Sequence, residues 1–436
     1  MRHNIVFTAT LILVVLMPLR IIAQTDAPEP EMRSAMLQLA DLERLALEGN
    51  PGLRAQRLRY ETARTEMTQA AALPDAKVGF GYFAVPVETR LGPQQATLSF
   101  AQTIPWFGTI GAEKDAASAR ARQRFAQLAD ARNRVLVDLR SNWYRLYVLD
   151  RSIELTRAHL DLVRTLREIA LTRYEAGSRP FSHVLRLDME VEKLQTTLRN
   201  LADDIPSVIG ELRLLTGQPI EAAKLQLPDS LALPAQSVDT DGLLRAAEEA
   251  HPLLRGLDEE ARYWQHRGDA ARRMGYPSLT LGVTYTAIGP REDIDMPDNG
   301  RDAIIPQLGL SFPLFGSRYD AMEEQAQLQQ RAADAAREEM RLSLSAAVLQ
   351  GRSDLADAHR RFALARRLTE LTRRTWKVLL EEYSAGSAGI DEVLAVERDL
   401  LRHALDSEKA RADANRAADE LDYLTAQRED HDDEYR

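Results

Sequence analysis

Cysteine is absent from the 436-residue chain. That excludes disulfides, thiolate metal sites, cysteine nucleophiles and a lipid anchor on an N-terminal cysteine. Aromatic residues are sparse, with 10 Phe, 12 Tyr and 4 Trp, and Ala, Leu, Arg, Glu, Asp and Gln fill long stretches instead. This balance belongs to extended helices rather than to an aromatic-rich globular core. Positive charge is not in excess: 56 Lys and Arg stand against 66 Asp and Glu, a net charge of -10. This balance argues against nucleic acid as a partner, because phosphate binding needs a basic face. Catalytic signatures are missing as well, with no G-x-x-x-x-G-K-S/T, no H-E-x-x-H, no G-x-S-x-G and no Gly-rich dinucleotide turn. The eight His are dispersed. No enzyme activity, cofactor or metal centre is expected, and any work the chain takes part in draws its energy from another protein.

One long apolar run is present, Ile5 to Met17, preceded by Arg2 and His3 and followed by Ile21-Ile22-Ala23 before Gln24. It is short for a bilayer span and has the layout of a secretory signal peptide over residues 1–23. No other segment has the length of a transmembrane helix, so a mature chain that crosses a membrane must do so with strands.

Self-similarity organises the rest. Tyr174-Glu-Ala-Gly-Ser178 matches Tyr383-Ser-Ala-Gly-Ser387, and Val184-Leu185 matches Val393-Leu394 at the same offset of 209 residues. Upstream, Pro105-Trp106-Phe107-Gly108 answers Pro313-Leu314-Phe315-Gly316, and Asn50-Pro51 answers His251-Pro252. Two structural repeats follow, 24–217 and 239–427, joined by a Pro-containing linker over 218–238 and closed by an acidic tail, 428–436, expected to be disordered. In the first repeat, residues 53–72 read as a helix and 75–105 as a β-hairpin, because Val78, Phe80 and Tyr82 alternate with Lys77, Gly79 and Gly81. The second repeat opens with a helix of its own and has its hairpin at 277–313, where Leu279, Leu281, Val283 and Tyr285 alternate.

Long helices follow each hairpin, over 112–176 and 319–385, each on the order of 100 Å at 1.5 Å per residue. Positions 135, 139, 142, 146, 149, 153, 156, 160 and 163 step by four and three, as in a coiled-coil seam, and the pattern recurs 209 residues later with smaller residues such as Gly351 and Ala358. Gly177 and Gly386 are placed to end these helices in the left-handed conformation before return helices over 181–217 and 390–427. The fold class is therefore mainly α with a small β part. Pro105, Gly108, Pro313 and Gly316 mark the strand-to-helix junctions.

Strands that alternate apolar with small or polar residues suit a barrel wall between lipid and water. The plainer alternative is a hairpin covering a soluble core. Four strands cannot close a membrane barrel, and open edges in hydrocarbon cost several kcal/mol for each unpaired group, so several copies must share one barrel. The order of helix, hairpin, long helix, Tyr-x-x-Gly turn and return helix, duplicated, resembles the TolC-like outer-membrane efflux proteins over nearly the whole mature chain. Ile104-Pro105-Trp106-Phe107-Gly108 resembles the version in their CzcC-like or CusC-like cation-efflux branch. The resemblance implies a homotrimer with a shared transmembrane β-barrel above a periplasmic α-barrel, in the outer membrane of a Gram-negative bacterium. It also implies contact with outer-membrane lipid, a periplasmic adaptor (membrane fusion protein) and an inner-membrane pump of RND, ABC or MFS type. The implied function is a passive exit duct for drugs, metal cations or other small molecules. A soluble periplasmic coiled-coil adaptor or structural protein is the competing reading.

The resemblance further implies a periplasmic gate just after the second Tyr-x-x-Gly turn. By position, Tyr383 is its tyrosine and Glu392 its first acidic residue, while Ala395 and Ala388 stand where a second acidic and a basic residue are expected. Asp391 is the candidate substitute, and Arg179 and His183, at the first-repeat positions equivalent to Ala388 and Glu392, are the candidate partners of a ring of Glu392 side chains. Asp391 and Glu392 can equally be first-turn charges held by the helix dipole, and Tyr174 and Tyr383 can be residues that pack the turns.

Overall fold

The structure, a computed structural model, describes residues 36–236, 239–293 and 296–426. The signal-peptide segment and the acidic tail lie outside these residues. Each repeat opens with two short helices: α1 (Leu39–Gly49) and α2 (Pro51–Ala70) in the first, α5 (Thr240–Ala250) and α6 (Pro252–Met274) in the second. The break is chemical. Asn50 Oδ1 accepts the Leu53 amide at 2.9 Å and His251 Nδ1 accepts the Leu253 amide at 3.3 Å, each ahead of a proline at the first helical position. Sequence periodicity alone starts the first helix at residue 53. The structure adds α1 before it, because proline at a first helical position starts one helix while ending another.

Four strands follow the pattern of alternation: β1 (Lys77–Thr89), β2 (Gly92–Ile104), β3 (Ser278–Ile288) and β4 (Ala303–Ser311), in one antiparallel sheet ordered β1-β2-β3-β4. Each repeat contributes one hairpin, and β2 pairs with β3 to join them. The register sorts side chains by face. Val78, Phe100 and Val283 share one row and Phe80, Leu98, Tyr285 and Ile304 the next, all exposed. The opposite face carries Gly79, Ser99 and Thr284, then Gly81, Thr97 and Thr286. One face is thus greasy and unpartnered and the other small and polar. β1 and β4 each end the sheet with an open edge.

The long helices are α3 (Thr109–Glu175, 67 residues) and α7 (Ser317–Ala385, 69 residues), each about 100 Å long. Each folds back through a turn into α4 (Ser182–Thr216) or α8 (Ile390–Leu424). In α7, seam positions 344, 348, 351, 355, 358, 362 and 365 are all buried. Small residues there bring α8 close: a β-carbon on Gly351 would sit 3.0 Å from Leu421 Cδ2. In α3 the seam residues Leu139, Leu146, Leu149, Leu160 and Val163 are buried, and so are Trp143, Tyr144 and Tyr147 beside them. Those rings pack into a midsection core with Leu42 of α1 and Leu212 of α4. The linker joins this core through Ile220 and Leu225, and Leu225 pairs with Leu37 in a parallel bridge.

Candidate functional site

At the end of the molecule far from the sheet, the two turns come together over a core of Leu166, Ala170, Val184, Leu187, Tyr383, Ile390 and Val393. Gly177 (φ 70°) and Gly386 (φ 92°) reverse the chain in the left-handed region, where a side chain would be strained. The two tyrosines of the duplicated motif then differ. Tyr383 is 1% exposed, whereas Tyr174 is 44% exposed and rests on Phe181 with ring centroids 4.9 Å apart. Tyr383 is wedged between copies: the guanidiniums of Arg173 and Arg179 lie 5.3 and 5.6 Å from its ring centre, and the His183 ring lies 6.2 Å away.

Arg173 does more than cover the ring. Its Nη1 donates to the Tyr383 carbonyl at 2.8 Å and its Nη2 to the Ser384 carbonyl at 3.2 Å. A cation from the first repeat thereby caps the negative end of α7 in the second. Burial raises the Tyr383 phenol above its ordinary pKa, with Arg173 and Arg179 opposing. Burial lowers the His183 pKa, Arg179 adds to this, and Asp391 opposes it. The imidazole is therefore neutral around pH 7.

Of the candidate gate residues, Tyr383, Arg179 and His183 are brought together. Asp391 pairs with Arg186 of α4, while Glu392 is exposed and makes no ion pair with Arg179 or His183 among the described residues. Ala388 is buried in the tip core and Ala395 is exposed. Three ties between hairpins were not singled out from sequence besides Arg173: Arg186–Asp391, Arg398 Nη2 to Glu190 Oε2 at 2.5 Å, and His159 Nδ1 to Glu397 Oε1 at 2.7 Å. Glu190 and Glu397 are buried, and such carboxylates in otherwise apolar helix faces are the signal that could have found them.

The strand-to-helix junctions also differ between copies. Gly108 is left-handed (φ 81°), and a β-carbon there would meet Arg273 Nη1 at 2.1 Å, so glycine is required. Gly316 is helical, with φ -66°, and has no such need. Pro105 and Pro313 follow the ends of β2 and β4 without entering the ladder. Among the described residues no helix is long and apolar enough to cross a membrane, and no group of three or more metal-ligating side chains forms. What the arrangement offers is a sheet with a lipid-compatible face and, a hundred ångströms away, an electrostatically pinned tip.

The family model for outer membrane efflux proteins matches residues 42–218 and 243–427, one match per repeat. The chain belongs to the outer membrane efflux protein family. No curated protein sequence matches it. Similar solved structures include the outer membrane protein VceC from Vibrio cholerae, 19% identical, with 89% of this chain and 95% of that one covered at a TM-score of 0.73. The open state of the Neisseria gonorrhoeae MtrE outer membrane channel is 17% identical, covering 89% and 88% at 0.69. CusC is 15% identical, covering 92% and 95% at 0.70, and so is no nearer than the others. This efflux protein is accordingly an outer-membrane channel of tripartite systems, with a large periplasmic part. Family members are passive conduits rather than enzymes and form trimers. Its four strands are one chain's share of a common β-barrel, its long helices one chain's share of an α-barrel, and the soluble-adaptor alternative is not favoured.

Proposed function

We propose that the paired turns form the periplasmic gate of the duct, and that Tyr383, Arg179, His183, Asp391 and Glu392 hold it narrow. The observation that carries this is the burial of Tyr383 between residues of both repeats, with exposed carboxylates Asp391 and Glu392 one turn further on. Three copies of each carboxylate around an axis place like charges close together, a ring that admits cations more readily than anions. The chain's net charge of -10 supports the same preference, with metal cations and cationic drugs as the favoured solutes. A periplasmic adaptor opens the tip, and an inner-membrane pump of the RND, ABC or MFS type supplies the energy.

Planar-bilayer recordings test the gate. Replacing Asp391 and Glu392 together with Ala is expected to raise closed-state conductance several-fold and to weaken cation selectivity. Unchanged conductance and selectivity would remove both residues from the gate.

A further inference from the structure

Where the sheet hands over to the helices, the starts of α3 and α7 and the end of α6 surround an open cavity of about 240 Å³. Two arginines line it, Arg273 from the last turn of α6 and Arg318 from the first turn of α7. Arg272, beside the first of these in the chain, lies 2.7 Å from Glu323. Arg273 and Arg318 have no carboxylate partner among the described residues. Arg273 Nη1 donates to the Phe107 carbonyl at 3.3 Å, and the Arg318 guanidinium lies 5.8 Å from the centre of the Tyr319 ring. Asp320, in the first turn of α7, is exposed and forms an ion pair with neither among the described residues.

The start of α3 adds to this positive field. Its N-cap is Gly108, which has no side chain to cap the helix, and its first turn holds no acidic residue. The amides of that turn and the positive end of the dipole therefore lack a neutralising group of their own. What lies against them is another cation, since the Arg273 guanidinium fills the place that a β-carbon on Gly108 would take. The negative end of α6 offsets the repulsion between that cation and α3, but the charges of Arg273 and Arg318 are left without a counter-ion. Thr109, the first residue of α3, also lines the cavity. It is 3% exposed, and its buried hydroxyl has no hydrogen-bond partner among the described residues. Trp106, stacked on Tyr276 with ring centroids 5.3 Å apart, forms an apolar wall that weakens the competition of water for these charges.

Two guanidiniums, a hydroxyl and a helix N-terminus are all donors, and phosphate has enough acceptor oxygens to engage them together. The strand residues that close the cavity show where such an ion comes from. Thr103 pairs with Thr280 and Ser278 with Ser311, on the small, polar face of the sheet, so the cavity joins the water side of the wall. We infer that this junction is a binding site for a soluble phosphate-type oxyanion, clamped by Arg273 and Arg318 and completed by Thr109 and the start of α3. The site rests on the two faces of the sheet and does not depend on the gate at the tip.

Calorimetric titration of the assembled trimer with inorganic phosphate at low ionic strength tests it. One phosphate per chain is expected to bind. Arg273→Gln and Arg318→Gln are each expected to weaken binding at least tenfold, and Thr109→Val several-fold. Arg352→Gln, which alters an exposed arginine midway along α7, should stay within twofold of the unaltered protein. Arg318 is exposed and holds no turn together, so Arg318→Gln keeps the test open should Arg273→Gln disturb the Gly108 turn and fail to fold. A parallel titration with dihexanoyl phosphatidylglycerol separates the two sources of phosphate. Weaker binding of this lipid than of the free ion supports the water-side site. Tighter binding of the lipid, lost in Arg318→Gln, would overturn the water-side assignment and make the ligand a headgroup. Absence of phosphate binding, or binding that both arginine variants leave unchanged, would overturn the site itself.

Discussion

The imidazole of His251 meets the ring of Tyr423 edge-on, with centroids 5.4 Å apart, at the start of α6. His251 is fully buried, its Nδ1 caps the helix, and burial with Arg255 nearby pushes its pKa down to about 4. A neutral imidazole is thus built into the fold. Between about 6.5 and about 4 the unfolded chain binds a proton that the folded chain refuses, so stability is complete above the unfolded pKa and declines as pH falls through that window. The loss per chain approaches about 3 kcal/mol. His251→Asn, the residue that caps α2 as Asn50, should keep the cap and flatten the pH dependence. Thermal melts from pH 7.5 to 4 check this; parallel curves for the two proteins would refute it.

Arg140 joins α1 and α8 to α3, donating to Glu43 at 2.5 Å and to Asp419 at 3.2 Å, while Tyr144 donates to Asp419 at 2.6 Å. Burial raises the Asp419 carboxyl, with Tyr144 and then Arg140 opposing. Arg140→Gln removes the opposing cation, so the folded-state pKa of Asp419 climbs further above its unfolded value. Stability in the variant is then present at low pH and lost as pH rises through the folded pKa. The expected penalty is roughly 3 kcal/mol at pH 8, narrowing toward pH 5. A penalty that is constant with pH would contradict this.

The Tyr383 hydroxyl is buried and has no hydrogen-bond partner among the described residues. Removing it should cost nothing measurable, because no bond is lost and an unsatisfied group is deleted. Tyr383→Phe is therefore expected to match the wild type in stability and conductance. Tyr383→Ala empties the tip core and should cost about 3 to 5 kcal/mol with a raised conductance. A large effect of the Phe variant would show that the hydroxyl, rather than the ring, is what matters.

Gln307 and Leu308 are adjacent in β4 and point to opposite faces of the sheet, Leu308 in the row with Leu281 and Gln102, and Gln307 in the row with Gly282 and Ala101. Leu308→Arg should destabilise the barrel by about 2 to 4 kcal/mol per chain, since a guanidinium facing hydrocarbon is costly at mid-depth. Gln307→Arg should assemble normally and lower cation conductance. Heat-modifiable migration of the trimer separates them; equal yields would mean the faces are assigned wrongly.

Local signals made most of the framework legible. Alternation fixed the strands, uninterrupted helix formers the long rods, and Gly177 and Gly386 their ends, because each depends on neighbours in the chain. Asn50 and His251 were visible as a matched pair ahead of proline, though not as caps. The tip was harder. Arg173 grips carbonyls 210 and 211 positions away, and nothing local to Arg173 distinguishes it from the other arginines on α3. Asp391 and Glu392 look alike in sequence, yet only the first reaches Arg186. Gly108 and Gly316 also look alike, yet only the first is left-handed, with Arg273 packed where its β-carbon would be. What remained hidden was the difference between the copies, which depends on what each faces after folding.

The open edges of β1 and β4 tie each chain's fate to its neighbours. A subunit with a ruined strand cannot be left out once it has paired, and the rows of amides it fails to satisfy belong partly to sound subunits. Alleles that damage a strand should therefore act dominantly when expressed beside an intact copy, poisoning the rings that admit them, while alleles that abolish synthesis should be recessive.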